Sequence, residues 1–359
     1  MKNIPKPKKS LPFADKLIEL AERGKLPDSL VRYGIRRLCL QRQKNELIDQ
    51  PERQQQRYQK LIEELRTSPI AIETDAANEQ HYEVATDFYL ASLGKRLKYS
   101  CAYYPEANTT LDEAEEHMLS LYSDRAELGP NQKILELGCG WGSLTLWMAE
   151  HYPDSQITAV SNSSTQKQHI DDQCQQRGYK NVTVITTDVN TLELDSNQFD
   201  RAISIEMSEH MRNYKQLLAR ISNWLKPNGK LFVHIFAHRN LMYPFEVQSE
   251  QDWMSKYFFT GGLMPSIDTL LHFQDQLKLE TRWLVNGRHY EKTCNHWLEK
   301  TDANKERIIK AFKQDYSEEE AGVWFHRWRI FYMSCAELFG LKNGSQWLVA
   351  HYLFKKPGS

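Results

Sequence analysis

From Ile134 onward the chain alternates short runs rich in β-branched and apolar residues with longer amphipathic ones, and this alternation restricts the fold more than any other feature. The order is KILEL, a helical LTLWMAEHY, QITAVS, a helical QKQHIDDQCQQRG and VTVITTD, then FDRAISIE, a helical YKQLLARISNWLK, the turn PNG and KLFVHIF. Runs of four to eight residues suit strands, and the segments between them are long enough for the crossovers that parallel neighbours require. The expected fold class is therefore α/β, with one doubly wound sheet running through about residue 236. Residues 240 to 320 read as an insertion of helices and loops, including the turn-rich FFTGGLMPS, that covers the sheet end. An aromatic helix, VWFHRWRIFYMSCAELFG, and a strand, WLVAHYLFKK, then return to the sheet edge.

The first 75 residues read as a separate helical extension, leaving 76–359 as the main domain. Leu17, Ile18, Leu20 and Ala21, then Leu30, Val31, Ile35 and Leu38, recur at helical spacing. The glutamine-rich QRQKNELIDQPERQQQRYQKLIEEL predicts an exposed helix pair broken near Pro51, to which no chemistry attaches.

Charge removes some partners. The 46 lysines and arginines balance 47 acidic residues, so no global field draws this chain to nucleic acid or an anionic membrane. No apolar run approaches the roughly 20 residues needed to span a bilayer. The basic N-terminal MKNIPKPKKSLPF lacks the hydrophobic stretch of a signal peptide, so a cytoplasmic address is expected. The six cysteines are scattered, without a CxxC pair or Cys/His cluster, and no metal is expected. The aromatic cluster at 257–259, with Trp324, Phe325, Trp328, Phe331 and Tyr332, reads as a core wall or as an apolar pocket.

The turn ELGCGWG, Glu136 to Gly142, follows a predicted strand and opens a predicted helix, where a nucleotide-type ligand binds in such a sheet. After Gly138 and Gly140 the third glycine is Gly142, so the pattern is GxGxG with a preceding acid rather than the dinucleotide GxGxxG. S-adenosylmethionine (SAM) has no pyrophosphate, and its ammonium needs an acceptor, which Glu136 or carbonyls of this turn can supply. At the next strand end Asn162 and Gln166 stand where ribose hydroxyls would lie. At the third, Asp188 is placed to accept the adenine amino group while Val189 donates its backbone N–H. Each of these alone also reads as a cap or turn residue; at successive strand ends they make one pocket.

The strand AISIEMSEHM presents Glu206, Glu209 and His210 within five residues at the carboxyl edge of the sheet. Two carboxylates and an imidazole there can move protons, although acids also suit the positive end of a helix that starts nearby. Methyl transfer to an amine needs a free lone pair, while an alkylammonium with a pKa near 10, as for lysine, is mostly protonated at neutral pH. A base is then useful, and carboxylates near a sulfonium and an ammonium hold both in place.

With these residues in hand, the chain from about 28 to 355 resembles the cyclopropane-fatty-acid synthase superfamily of methyltransferases and, within it, the coclaurine N-methyltransferase-like branch. The pieces that carry the likeness are LPDSLVRYGIRRL, SPIAIETDAANEQHYEVATDFY, LGKRLKYSCAYY, ELGCGWGS, SIEMSEHMRNY, HIFAH, YFFTGGLMPS and RWRIFYMSCAELFG, in that order. The resemblance implies a Rossmann-like class I SAM-dependent methyltransferase sheet, with S-adenosylhomocysteine as product. It also implies that Tyr82, Tyr99 and Ser100 close over the methionine part of SAM from outside the sheet domain.

Glu206, Glu209 and His210 match the EMxEH motif that serves amine binding and proton removal in the N-methyltransferase branch, with Ser208 where relatives usually carry phenylalanine, a departure that reshapes the pocket. The lipid-modifying branch uses a bicarbonate ion as base, and Cys101, Glu209, His234 and Tyr332 fall on the positions that hold it. That branch reads GMFEH where this chain has Glu206, and a second carboxylate suits a cationic amine better than a neutral alkene. The expectation is N-methylation of a hydrophobic or aryl amine, with Phe236, Tyr290, Trp328, Phe331 and Tyr332 as its aromatic pocket. Two rivals stay open: an enzyme on unsaturated lipid acyl chains, and a SAM-binding scaffold without turnover. The partners expected are a small-molecule amine and neither nucleic acid nor an integral membrane contact, with room left for a homodimer.

Overall fold

The computed structural model describes residues 12–72, 85–247 and 252–358. Its centre is a seven-stranded sheet made of β1 (Lys133–Leu137), β2 (Gln156–Ser161), β3 (Val182–Thr186), β4 (Phe199–Ile205), β5 (Leu225–His238), β6 (Lys278–Val285) and β7 (Trp347–Lys355). The spatial order is β3-β2-β1-β4-β5-β7-β6, with β7 antiparallel to both neighbours and the first five strands parallel. Four of the five residues of β1 are buried, as expected for a strand covered on both faces.

Twelve described helices of five or more residues flank or cap this sheet. In chain order α1 (Pro12–Glu22), α2 (Asp28–Glu46) and α3 (Pro51–Thr67) form the extension, and α4 (Thr86–Ser92) and α5 (Leu111–Ala126) precede the sheet. Helices α6 (Ser143–His151), α7 (Ser164–Arg177) and α8 (Tyr214–Trp224) are the crossovers. The cover holds α9 (Trp253–Tyr257) and α10 (Gly287–Ala303), followed by α11 (Lys305–Phe312) and the long α12 (Glu318–Gly340). Local chemistry explains several ends. Pro51 opens α3 at the helix start, where a missing N–H costs nothing. Capping boxes Thr110/Glu113 and Ser317/Glu320 start α5 and α12.

Two features differ from the sequence reading. The segment read as helices and loops contributes β6, which becomes the sheet edge, so β7 lies inside the sheet between β5 and β6 rather than at its margin. The helix pair read as exposed is also docked: Arg32 and Arg36 on α2 pair with Glu337 on α12 at 2.9 and 2.7 Å, and Ile35, Ile62 and Leu65 are buried. Helix α3 breaks from α2 at Pro51 as expected.

The chain moves from β1 outward to β3 and then returns to β4 on the other side of β1. The connections after β1 and β4 therefore diverge, opening a crevice beyond their carboxyl ends, which is where ligands bind in open α/β sheets. Glu136 and Gly138 lie on one side of this switch point and Glu206 on the other. No helix among the described residues is long and apolar enough to cross a membrane.

Candidate active site

The glycine turn is built for close approach. Gly138, Gly140 and Gly142 have φ of 77°, 52° and 79°, in the left-handed region that side chains disfavour. A Cβ on Gly138 would lie 2.9 Å from Met207 Cβ, across the switch point, and one on Gly142 would meet Ile170 at 2.6 Å. The turn opens on a cleft of two joined chambers that share Gly138, Ser161, Asn162, Met207 and His210.

The first chamber takes in Tyr99, Ser100, Glu136, Gly140 and Gln166 together with Glu206, Phe236, Tyr290 and Phe331. The second is lined by Asp188 and Val189 with Leu137, Val160 and Met211. The structure thus brings together all the described residues read as cofactor-binding; Tyr82 lies outside the described residues. Two residues of the same motif went unread: Trp141 Nε1 and Ser143 Oγ are buried on the wall of the first chamber without a hydrogen-bond partner among the described residues. Orphaned polar atoms facing a cavity need a polar ligand or water, and with the glycine cradle they fit SAM. Glu136 is almost fully buried, accepts a 2.5 Å hydrogen bond from Thr145 Oγ1, and is pushed up to about 8 by burial. An ammonium beside it would draw it back to the ionised form.

Glu206 is the hub of the other half. Its backbone φ of 44° marks strain immediately after β4, and its own N–H donates to the His234 carbonyl at 2.9 Å. That geometry directs the carboxylate across the strand ends. Oε1 accepts from the Cys101 backbone N–H at 3.0 Å and lies 2.9 Å from His234 Nε2, while Oε2 accepts from the Tyr290 hydroxyl at 2.5 Å. Burial raises the Glu206 carboxyl above its ordinary range, while the Lys98 ammonium and these donors pull it down. Lys98, unread in the sequence although it stands in LGKRLKYSCAYY, is 2% exposed and donates to Ser100 Oγ at 2.6 Å and to the Cys101 carbonyl at 2.7 Å. Burial lowers it to about 8.

His210 lines both chambers, its ring stacked on Phe259 at 5.5 Å, and burial lowers it to about 4, so the imidazole is neutral at ordinary pH. Glu209 is placed differently from its neighbours. It is fully buried behind the wall, where Oε1 accepts the Phe236 backbone N–H at 2.9 Å and Oε2 has no partner among the described residues. Burial and then the Glu206 charge push it well above the usual carboxylate range. Ser208 also faces away, with its Oγ 3.2 Å from Ser204 Oγ, so the departure from phenylalanine does not itself line the cleft.

Of the five aromatic residues expected around an acceptor, Phe236, Tyr290 and Phe331 line the chamber, joined by Phe259 and Trp297. Trp328 and Tyr332 stand one layer behind: Trp328 packs on Phe331 at 5.5 Å and Tyr332 reaches Ser92 Oγ at 3.4 Å. The residues that the resemblance sets around a bicarbonate ion are therefore not an open anion site. Cys101 and His234 address Glu206, Tyr332 addresses Ser92, and Glu209 stands behind the wall. The carboxylate of the chain itself takes the donors, and the ion does not fit. Among the described residues no cluster of three metal-ligating side chains is present.

A seven-stranded sheet in this order, with a GxGxG cradle at its switch point and an acid at the end of the fourth strand, defines a class I SAM-dependent methyltransferase. The chain belongs to the mycolic acid cyclopropane synthetase family, whose model matches residues 71–347. It is 37% identical over 344 residues to (S)-coclaurine N-methyltransferase of Thalictrum flavum subsp. glaucum, covering 95% of both chains. The solved structure of a coclaurine N-methyltransferase bound to N-methylheliamine and S-adenosylhomocysteine superposes with a TM-score of 0.91 at 37% identity, over 96% of this chain and all of that one. The cyclopropane-fatty-acyl-phospholipid synthase of Escherichia coli strain K12 is 28% identical, over 76% of this chain and 66% of its own. The protein is a SAM-dependent N-methyltransferase.

Proposed function

We propose that the acceptor is a hydrophobic or aryl amine whose nitrogen is held between Glu206 and His210, with Phe236, Phe259, Tyr290 and Phe331 around its apolar body. The observation that carries this reading is the Glu206 carboxylate, sunk at the switch point on the wall of an aromatic chamber contiguous with the glycine cradle. A buried anion there favours a cationic partner, and aromatic faces add attraction for it. The names of the relatives, which refer to coclaurine and N-methylheliamine, point to the same chemical class.

SAM, when bound, supplies a methyl group on a sulfonium. Glu136, Gly138, Gly140, Asn162 and Gln166 would hold its methionine and ribose parts, with Tyr99, Ser100, Trp141 and Ser143 closing that end. Asp188 and Val189 would receive the adenine. Glu206 pairs with the acceptor ammonium and orients it, which supplies much of the acceleration in a two-substrate displacement. His210, neutral at ordinary pH, takes the proton that must leave before nitrogen can attack; its burial disfavours keeping the charge, so it hands the proton to water at the mouth of the cleft. Glu209 works from behind: by holding the Phe236 N–H it fixes the aromatic wall, a positioning role rather than contact with the acceptor. The division between the extension and the catalytic domain is placed near residue 75, and the cytoplasm is the proposed place of action.

The test is a mass-spectrometric assay with methyl-labelled SAM, offered aryl-alkyl amines and unsaturated phospholipid vesicles in parallel. Label in an amine supports the reading. Label confined to lipid overturns it.

A further inference from the structure

The register of the sheet sets His234 on β5 opposite His351 on β7, and His351 opposite Trp283 on β6. This row runs from the edge strand inward to Glu206, and α5 lays Arg125 over its outer end. The guanidinium lies 5.0 Å from the Trp283 ring centroid, and its Nη1 lies 2.7 Å from His351 Nδ1. None of these contacts is used in the methyl-transfer chemistry described above.

The protons in the row follow from elementary chemistry. A guanidinium has donors only and is not deprotonated in proteins, so His351 Nδ1 must accept. A neutral His351 then carries its proton on Nε2, which lies 2.8 Å from His234 Nδ1. That nitrogen must accept in turn, and the Tyr122 hydroxyl oxygen lies 2.9 Å from it. Neutral His234 therefore bears its proton on Nε2, 2.9 Å from Glu206 Oε1, where it donates to the carboxylate. Burial keeps both imidazoles neutral, with Lys98 and Arg125 acting in the same direction.

We propose that Arg125 and His351 are positioning residues for methyl transfer: they fix the tautomer of His234 so that an N–H, never a lone pair, faces Glu206 and holds its carboxylate ionised. The role of the ionised carboxylate rests on the amine reading given above. The charged and titratable groups around Glu206 are Lys98 and Cys101 from the preceding loop, Glu209 and His210 from its own turn, His234 from β5, and Tyr290 and Cys294 from α10; Tyr122 on α5 reaches it through His234. Among the described hydrogen bonds to Glu206, the one from His234 is the one that a change of tautomer converts into a repelling lone pair. Losing that donor favours protonated Glu206.

Full-length protein, wild type and with Arg125→Met or Arg125→Lys, is measured in two ways. Long-range proton–nitrogen NMR of the histidine side chains reads the tautomers, expected as Nε2–H at both His234 and His351 in the wild type and mixed at His351 in Arg125→Met. The pH profile of kcat/KM is expected to move its acid limb up by about one unit in Arg125→Met, a fall of about tenfold on that limb, with SAM affinity unchanged. Arg125→Lys, which keeps a permanent donor, is expected to restore the profile. A wild-type His234 protonated on Nδ1, or an Arg125→Met profile that coincides with the wild type, overturns the proposal. The tautomer measurement needs no acceptor: Nε2–H at both histidines with no transfer to any amine would sink the amine reading and leave the tautomer assignment standing.

Discussion

The Tyr290 hydroxyl donates to Glu206 Oε2 at 2.5 Å, tying the first long helix of the cover to the turn that follows the fourth strand. The cover and the sheet thus meet at the carboxylate itself. Tyr290→Phe removes a donor to a buried charged group, an interaction worth about 1.5–3 kcal/mol. The expected result is a fall in kcat/KM of roughly ten- to a hundredfold, with SAM affinity unchanged. Because the lost donor had favoured the ionised form, the acid limb of the pH profile should also move to higher pH. Steady-state kinetics across pH check both.

Glu209 should separate charge from hydrogen bonding. Burial raises its carboxyl well above the usual range and so favours the protonated form, while Oε1 accepts the Phe236 N–H. Glu209→Gln keeps that acceptor and should leave the melting temperature nearly unchanged. Glu209→Ala leaves a buried N–H unpaired and a cavity, costing about 1–3 kcal/mol for the unpaired group alone, visible in denaturant unfolding.

Binding of SAM should release a proton at neutral pH. Glu136 is raised to about 8 by burial, so it is mostly protonated at pH 7 in the free protein. A neighbouring ammonium stabilises the carboxylate, so binding expels the proton, and affinity should rise with pH until about 8. Calorimetry in buffers of different ionisation enthalpy measures the proton count, expected to approach one and to vanish in Glu136→Gln.

Gly142→Ala should damage the cradle. The residue sits at φ 79°, and its new Cβ would meet Ile170 Cγ1 at 2.6 Å. Strain of this type costs about 1–3 kcal/mol, and the displaced turn should weaken SAM binding by at least tenfold in a titration.

Much of this architecture was legible because parallel strands covered on both faces leave compact apolar runs, as KILEL and QITAVS do. The sixth strand in chain order was not. KLETRWLV is an edge strand in which a bulge between Leu279 and Thr281 breaks the alternation of faces, so its burial is too patchy to announce itself. Glu206 and His210 were found because a strand ending in three chemically able residues is visible in one dimension. Lys98 and His351 were missed because burial of a lysine and the cross-strand register of a histidine arise only when distant segments meet. Glu209 shows the same limit from the other side: proximity in sequence to Glu206 did not tell that its side chain turns behind the wall. The docking of the extension through Arg32 and Arg36 to Glu337 joins positions about three hundred residues apart, beyond any local pattern.

The central claim is that the Glu206 carboxylate is the anionic pole that receives the amine. Its most direct test is Glu206→Gln, which keeps shape and most hydrogen bonding while removing the charge, with SAM affinity measured alongside turnover on the best amine acceptor. The account predicts a loss of kcat/KM of roughly a hundredfold or more with SAM binding within a few-fold of wild type. Full turnover in Glu206→Gln would contradict it.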